Sequence, residues 1–342
     1  TIESVTSFTD EGTKKIGDQI ELKVIFSESV TVTGTPQITL ETGSTVADAV
    51  VDYSGGSGNI LNFMYTVLEG HSTSDLDYMA TTSLALNNGT IKATDDNSDA
   101  TLTLVAPGSN GSLGEAKSYV IDGVKPTITI TASQVETGNT SNDSSLSLTF
   151  TSSESTTSFD SIDLSLTNGT ISNFSGSGST YTATFTPTNQ GATAINIAAE
   201  TFTDAAGNSN KAATEFTWLF DSGSPSLTLV SGISTPNNSA TPSITFNSNE
   251  AGTITSSLSF STSATAASGN NLLTFSSLSD NTYSGVTVTL TDAANNSTTL
   301  TLDDFVIDTT SPAAFQSTTV VSTGGTVVPT YYNSTNTGVS VT

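Results

Sequence analysis

The chain has 342 residues, 34% of them hydrophobic, with 32 acidic side chains against 7 basic ones and no cysteine. That length exceeds one ordinary domain, and the modest hydrophobic share suits several small two-layer units better than one large core. A net charge of −25 repels nucleic acid and anionic membranes, and the missing thiols exclude disulfides, zinc–thiolate sites and a cysteine nucleophile.

Thr, Ser, Asn, Gly and Val dominate while Lys, Arg and Glu are scarce, which predicts an all-β chain. No apolar run approaches the roughly 18 residues of a membrane span. "TIESVTSFTD" reads as a first strand from Thr1 onward, with no signal peptide before it. The expectation is therefore a mature chain or an interior piece of a longer one. Further strands are predicted at "QIELKVIF" (19–26), "PQITLETG" (36–43), "LNFMYTVL" (61–68), "SSLSLTFT" (144–151) and "YTATFTPT" (181–188). Two more stretches, "NTYSGVTVTLTD" (281–292) and "STTLTLDDFVID" (297–308), read the same way. Apolar and polar residues alternate in "TYTATFT" and "VTVTLT", the period of a strand with one buried face. "NNGT" (87–90), "TNGT" (167–170) and "SGSGS" (175–179) supply turns.

A repeat is superimposed on these strands. Asp122, Asp221 and Asp308 each end an apolar run, and Pro126, Pro225 and Pro312 each follow four residues later. The aspartates lie 99 and 87 residues apart. Strand, short linker and strand at such a period mark tandem modules, and the proline stiffens each joint by fixing φ. About seven strands per ~100 residues is the proportion of an immunoglobulin-like sandwich. Two further marks recur. A strand end carries Glu28, Glu154 or Glu250, and a later acidic turn reads "ATDDNSD", "FTDAAGNSN" or "LTDAANNST".

"FTDAAGNSN…FDSGSP" and "LTDAANNST…FVIDTTSP" resemble the bacterial Ig-like repeats of large secreted surface proteins, of adhesin or surface-layer type. The first unit, with "KKIGDQIELKVIFSESVTVTGTPQITLETG" and "DLDYMATTSLALNNGTIK", is similar to a longer variant of such repeats. The resemblance covers essentially the whole chain. It implies tandem immunoglobulin-like β-sandwich domains in an extended row, at 1–123, 124–222 and 223–310, with 311–342 beginning a fourth, incomplete unit. It also implies an extracellular, cell-surface location.

The resemblance further implies calcium at the joints, where carboxylates near the linker stiffen the array. Carried over by position, the sets are Glu28, Asp95 and Asp122; Glu154, Asp204 and Asp221; and Glu250, Asp292 and Asp308. Calcium takes six to eight oxygen ligands, which such residues supply. The competing reading is that each aspartate caps its own turn. In the first set Asp95 and Asp96 compete for one position. Asp95, Asn97 and Asp99 alternate like an EF-hand loop, but Ala100 replaces the turn glycine and Ala106 the bidentate glutamate, so that motif is rejected.

Nothing predicts an enzyme. His71 is the only histidine and is expected exposed in a loop; no G-x-S-x-G elbow occurs. Each glutamate singled out recurs by module, which favours architecture over a unique active site. Trp218 falls in a final strand, where a core or joint-packing role is expected over sugar stacking. Asn-x-Ser/Thr triplets are frequent in so Ser/Thr/Asn-rich a chain and by themselves assign no glycosylation.

The leading functional expectation is a structural array: an adhesin stalk, or a component of a surface lattice or filament. Its partners would be further repeats of the same longer chain, neighbouring copies in a surface assembly, or cell-surface glycans. Nucleic acid binding and membrane insertion are not expected. The alternatives are a glycan- or partner-binding module and the accessory region of a secreted enzyme.

Overall fold

The computed structural model describes residues 1–43, 46–313, 320–323 and 338–341. Strands dominate the described residues. The helical elements among them are one four-residue helix, Leu113–Ala116, and one 3₁₀ turn, Ser161–Asp163. Three separate hydrophobic cores form, with members running from Val5 to Ile121, from Ile128 to Trp218 and from Ile244 to Ile307. The fold is immunoglobulin-like, a series of β-sandwiches. By compactness the chain divides into two units, Thr1–Gly223 and Ser224–Thr342.

In the first unit, the first sandwich is built on a six-stranded sheet. Its order is Ile2–Ser7, Gln19–Phe26, Ile60–Thr66, Ala49–Ser57, Gln37–Leu40 and Leu84–Ala85. Alternation decides the faces: Ile20, Leu22, Val24 and Phe26 point inward and are fully buried. Facing strands include Gly12–Lys15, which runs parallel to Tyr119–Asp122 with Lys15 opposite Asp122. The first sandwich therefore ends on a strand whose last residue is the linker aspartate.

The second sandwich has a three-stranded sheet, Ile128–Ala132, Leu146–Thr156 and Gly169–Pro187. Its four-stranded sheet runs Thr140–Ser141, Phe216–Phe220, Gly191–Ile197 and Leu164–Thr167. The "SGSGS" turn lies inside Gly169–Pro187, where Gly178 at φ 68° folds the chain back on itself. Phe150, Phe185, Phe202 and Trp218 fill the core, and Trp218 packs edge-on to Phe185. Each such buried ring or aliphatic side chain contributes about 1.5–3 kcal/mol by leaving water. Trp218 is thus a core residue, 3% exposed.

The second unit holds the third core, between a sheet of Leu227–Ser231, Ser243–Ser248 and Gly269–Thr274 and a sheet of Thr265–Ala266, Gly252–Ser256, Thr287–Thr291 and Ser297–Thr301. The predicted strands 281–292 and 297–308 each break in two, giving Asn281–Tyr283 and Thr287–Thr291, then Ser297–Thr301 and Phe305–Ile307. Beyond Pro312, Val320–Thr323 pairs antiparallel with Gly338–Val341. The rest of the expected fourth unit lies outside the described residues.

His71 is a correction to the sequence reading. It is 5% exposed, stacks on Tyr65, and its Nδ1 lies 3.2 Å from the Leu68 amide and 2.9 Å from the Tyr65 hydroxyl. The chain turns back at Gly70 (φ 93°), and the ring is buried against Tyr65 instead of exposed to solvent.

Candidate functional site

Three carboxylates converge where the first sandwich hands over to the second. Asp122 ends the strand Tyr119–Asp122, whose Tyr119 and Ile121 are core residues, so alternation turns the aspartate away from the first core. Its Oδ1 accepts the Val124 amide at 3.2 Å, an Asx turn that starts the linker. Glu154 lies near the end of Leu146–Thr156. The adjacent Ser153 bonds Thr127 twice, through its amide to the Thr127 carbonyl and through Oγ from the Thr127 amide. Glu154 is thereby pinned at the linker end of the second sandwich.

Asp204 opens the turn "DAAGN". Its Oδ1 accepts the amides of Gly207 at 2.7 Å and Asn208 at 2.8 Å, and its Oδ2 accepts Asn208 Nδ2 at 2.9 Å. Gly207 sits at φ 94°, a conformation that disfavours a side chain, which explains the glycine at that position. Asp204 is 2% exposed.

Oxygen atoms of Asp122, Glu154 and Asp204 all lie within 4.8 Å of one another. Three negative groups at that spacing oppose ionisation. Burial, then Asp122, then Asp204 push the Glu154 carboxyl up to about 7. Asp122 is also raised, by burial first, with Asp204 adding and the Val124 amide opposing. Glu154 Oε1 is buried and has no hydrogen-bond partner among the described residues. A groove of about 460 Å³, lined by Ser72, Thr73, Val124 and Ser153, opens beside Asp122 and Glu154. A donor set of carboxylate oxygens without thiol or imidazole fits a hard divalent cation and not zinc. An orphaned buried carboxylate oxygen fits such a ion as well.

This grouping differs from the one expected from position. Glu154 and Asp204 meet Asp122, from the preceding linker, and not Asp221. The reason is strand direction. Lys211 donates its amide to the Pro126 carbonyl, so Phe216–Phe220 starts at the linker end of the sandwich. The strand then runs to the far end, where the Asp221 amide bonds the Ser141 carbonyl. There Asp221 Oδ1 accepts the Gly223 amide at 2.9 Å.

Of the remaining expected ligands, Glu250 and Asp292 come together, each offering an oxygen within 4.8 Å of the other, and the rest take other places. Glu28 and Asp95 are exposed, and among the described residues neither joins a group of three. In their turn Asp96, not Asp95, accepts the Ser98 amide, and Asp99 pairs with Lys92. In the second unit Glu250 follows Ser243–Ser248, and its amide bonds Ser248 Oγ. Asp292 is 8% exposed; its Oδ1 accepts the amides of Ala294 and Asn296, and its Oδ2 accepts Asn296 Nδ2. Asp308 is exposed and accepts the Thr310 amide at 3.1 Å, the same Asx turn as at Asp122 and Asp221. Asp280 holds Thr309 and Thr310 beside it. The turn-forming reading of the linker aspartates is therefore realised at all three, whatever else Asp122 does.

Sequence reasoning missed Asn208. It is 3% exposed and touches three chain segments. The available signal was the asparagine that ends the acidic turn in two modules, at Asn208 and Asn296.

No curated protein matches this sequence. Among solved structures, the chain is similar to FdeC, a broadly conserved Escherichia coli adhesin, at 13% identity over 89% of this chain and 96% of that one, with a TM-score of 0.34. It is similar to invasin, a bacterial integrin-binding protein, at 10% identity over 96% of this chain and 63% of that one, with a TM-score of 0.28. It also aligns with 34% of the latent PorU chain from Porphyromonas gingivalis, at 9% identity and a TM-score of 0.20. No helix among the described residues is long and apolar enough to cross a membrane. Residues 122–218 match the family model of a bacterial Ig-like domain, a span that opens on Asp122 and contains Glu154, Asp204 and Asn208.

Proposed function

We propose that this chain is part of a structural array at the cell surface, a stalk or lattice element whose sandwiches serve as spacers. In this reading Asp122, Glu154 and Asp204 hold a calcium ion that stiffens the first joint. The observation that carries the cation is the convergence of three carboxylates on a point where Glu154 Oε1 is buried without a partner among the described residues. Support for the array comes from the Ig-like match over 122–218 and from three cores of similar construction in one chain. The acidic surface suits an exterior location and partners that are neutral or bridged by cations.

Calcium, when bound, would supply the positive charge that cancels the mutual repulsion of the three groups. The protein's own part is to hold the ligands in advance. The Asx turn fixes Asp122, the Ser153–Thr127 pair fixes the strand end at Glu154, and the turn amides fix Asp204. Binding to the folded state alone stabilises it by mass action, about 2.7 kcal/mol at a hundredfold excess over Kd. Thermal melting followed by the fluorescence of Trp218, in millimolar calcium and in chelator, tests this. Calcium should raise the melting temperature of the wild type and not that of Glu154→Gln. Identical melting of the wild type in both buffers would remove the cation from the account.

A further inference from the structure

We infer that Asn208 is the bolt that fixes the second sandwich on the first, and that it works without a cation. Asn208 belongs to the second sandwich, yet its carboxamide completes hydrogen bonds at the end of the first. Oδ1 accepts the Ile16 amide at 2.9 Å, and Nδ2 donates to the Asp122 carbonyl at 2.9 Å. Ile16 directly follows Gly12–Lys15, the strand that runs parallel to Tyr119–Asp122. The side-chain amide therefore accepts from one strand and donates to the other just where their ladder stops. It acts as one more peptide group added to the sheet of the neighbouring sandwich.

The second Nδ2 hydrogen goes to Asp204 Oδ2, and the Asn208 amide goes to Asp204 Oδ1. Both side-chain donors are thus used, one on each side of the joint. Asparagine is the residue that fits. A carboxylate at this position would lose both donors and put a fourth negative charge beside Asp122, Glu154 and Asp204. An alanine would leave the Ile16 amide and the Asp122 carbonyl without this partner. Burial gives the bonds their weight, because a buried polar group left unpaired loses its water without gaining a partner.

The other links across this joint are weaker. Lys15 Nζ reaches the Gly207 carbonyl at 3.3 Å on the exposed side. Lys211 pairs with Glu69 at 2.8 Å, each side chain about half exposed. Solvent screens such pairs, so they contribute little. Among the described residues, Asn208 alone combines burial, both amide functions and partners in both sandwiches.

The experiment reads joint geometry with no calcium present. The chain lacks cysteine, so Ser57→Cys and Ser172→Cys, both at exposed positions of the two sandwiches, accept spin labels at those sites alone. Pulsed electron–electron resonance on the full chain in chelator should give one narrow distance distribution. Asn208→Ala should broaden it severalfold, and Asn208→Asp should broaden it too. Glu154→Gln should leave it narrow. The emission of the single tryptophan, Trp218, checks that the second core is intact in each variant. In parallel, the Ile16 amide should exchange about tenfold faster in Asn208→Ala, as expected for the loss of one buried hydrogen bond. A distribution in Asn208→Ala as narrow as the wild type would overturn the inference, as would a wild type already broad in chelator. Failure of the calcium reading would show only as a melting temperature indifferent to calcium, and would leave these results unchanged.

Discussion

The acidic turns at 93–99 and 202–210 contain the same kinds of residue and end up in opposite situations. In the first, Asp95 is exposed, Asp96 caps the Ser98 amide and Asp99 pairs with Lys92. In the second, Asp204 is buried and held by three hydrogen bonds from its own turn, and Asn208 crosses to the neighbouring sandwich. Acidic composition alone thus does not make a site. What distinguishes 202–210 is an aspartate buried under its own turn amides, and an asparagine that carries the turn onto the linker.

The contrast can be broken most strongly at the carboxylates. Asp204→Ala strips the acceptor from two amides and from Asn208 Nδ2. It should cost the second sandwich about 2–4 kcal/mol in denaturant unfolding followed at Trp218. Asp95→Ala should shift the first sandwich by less than about 0.5 kcal/mol. Equal effects at the two positions would mean that burial is not what separates the turns.

Burial also decides the role of the lone histidine. Burial holds the His71 pKa below its usual 6.5, with Asp48 opposing, and Nδ1 is placed as an acceptor for the Leu68 amide. A proton on Nδ1 would turn that acceptor into a donor. The folded pKa lies below the unfolded one, so His71 contributes stability fully above about pH 6.5. That contribution is lost as pH falls through the lowered folded value. His71→Gln should cost about 1–3 kcal/mol at pH 7.5 by unpairing buried donors, and should flatten the fall in first-sandwich stability below pH 6.5. A variant with the wild type's pH profile would show that another group titrates there.

Backbone conformation gives a finer test. Gly207 and Asn97 are the left-handed residues of the two turns, at φ 94° and 62°. A side chain at 207 has room, the nearest atom being Lys15 Cδ at 3.4 Å, so Gly207→Ala isolates the backbone term. It should cost about 1–2 kcal/mol. Asn97→Gly should change stability by under about 0.5 kcal/mol, since asparagine already tolerates this region and glycine adds unfolded-state entropy.

Much of this architecture is legible in the residues. Alternation in "QIELKVIF" matches the strand Gln19–Phe26 end to end, and the recurrence of Asp122, Asp221 and Asp308 marks where apolar runs stop. Period and alternation are local, so a sequence carries them openly. The grouping of carboxylates is not local. Glu154 and Asp204 meet Asp122 because the last strand of the second sandwich starts at the linker end and carries Asp221 away, a fact of topology. Asn208 was legible as a repeated letter but not as a bridge, because its partners Ile16 and Asp122 lie in the preceding sandwich. His71 sits in a polar stretch, "LEGHSTSD", and its burial depends on Tyr65 and the turn at Gly70, which spacing does not reveal.

The smallest effect belongs to the exposed ion pair that closes the 93–99 turn. Lys92 Nζ meets Asp99 Oδ1, with the aspartate side chain 84% exposed and the lysine 32%. Water and salt screen a charge so placed, and holding two side chains together costs entropy, so the pair should contribute well under about 1 kcal/mol. Backbone bonds hold the turn regardless: the Asn97 amide reaches the Ala93 carbonyl and the Ala100 amide reaches the Ile91 carbonyl. Lys92→Ala should therefore lower first-sandwich stability by about 0.5 kcal/mol or less in dilute buffer. The difference should vanish near 1 M salt, where the screening length falls to about 3 Å. A loss above about 2 kcal/mol, or one indifferent to salt, would show that the lysine's aliphatic stem packs against the strands Thr90–Ala93 and Val30–Thr33, and that the exposed turn is held by more than its backbone.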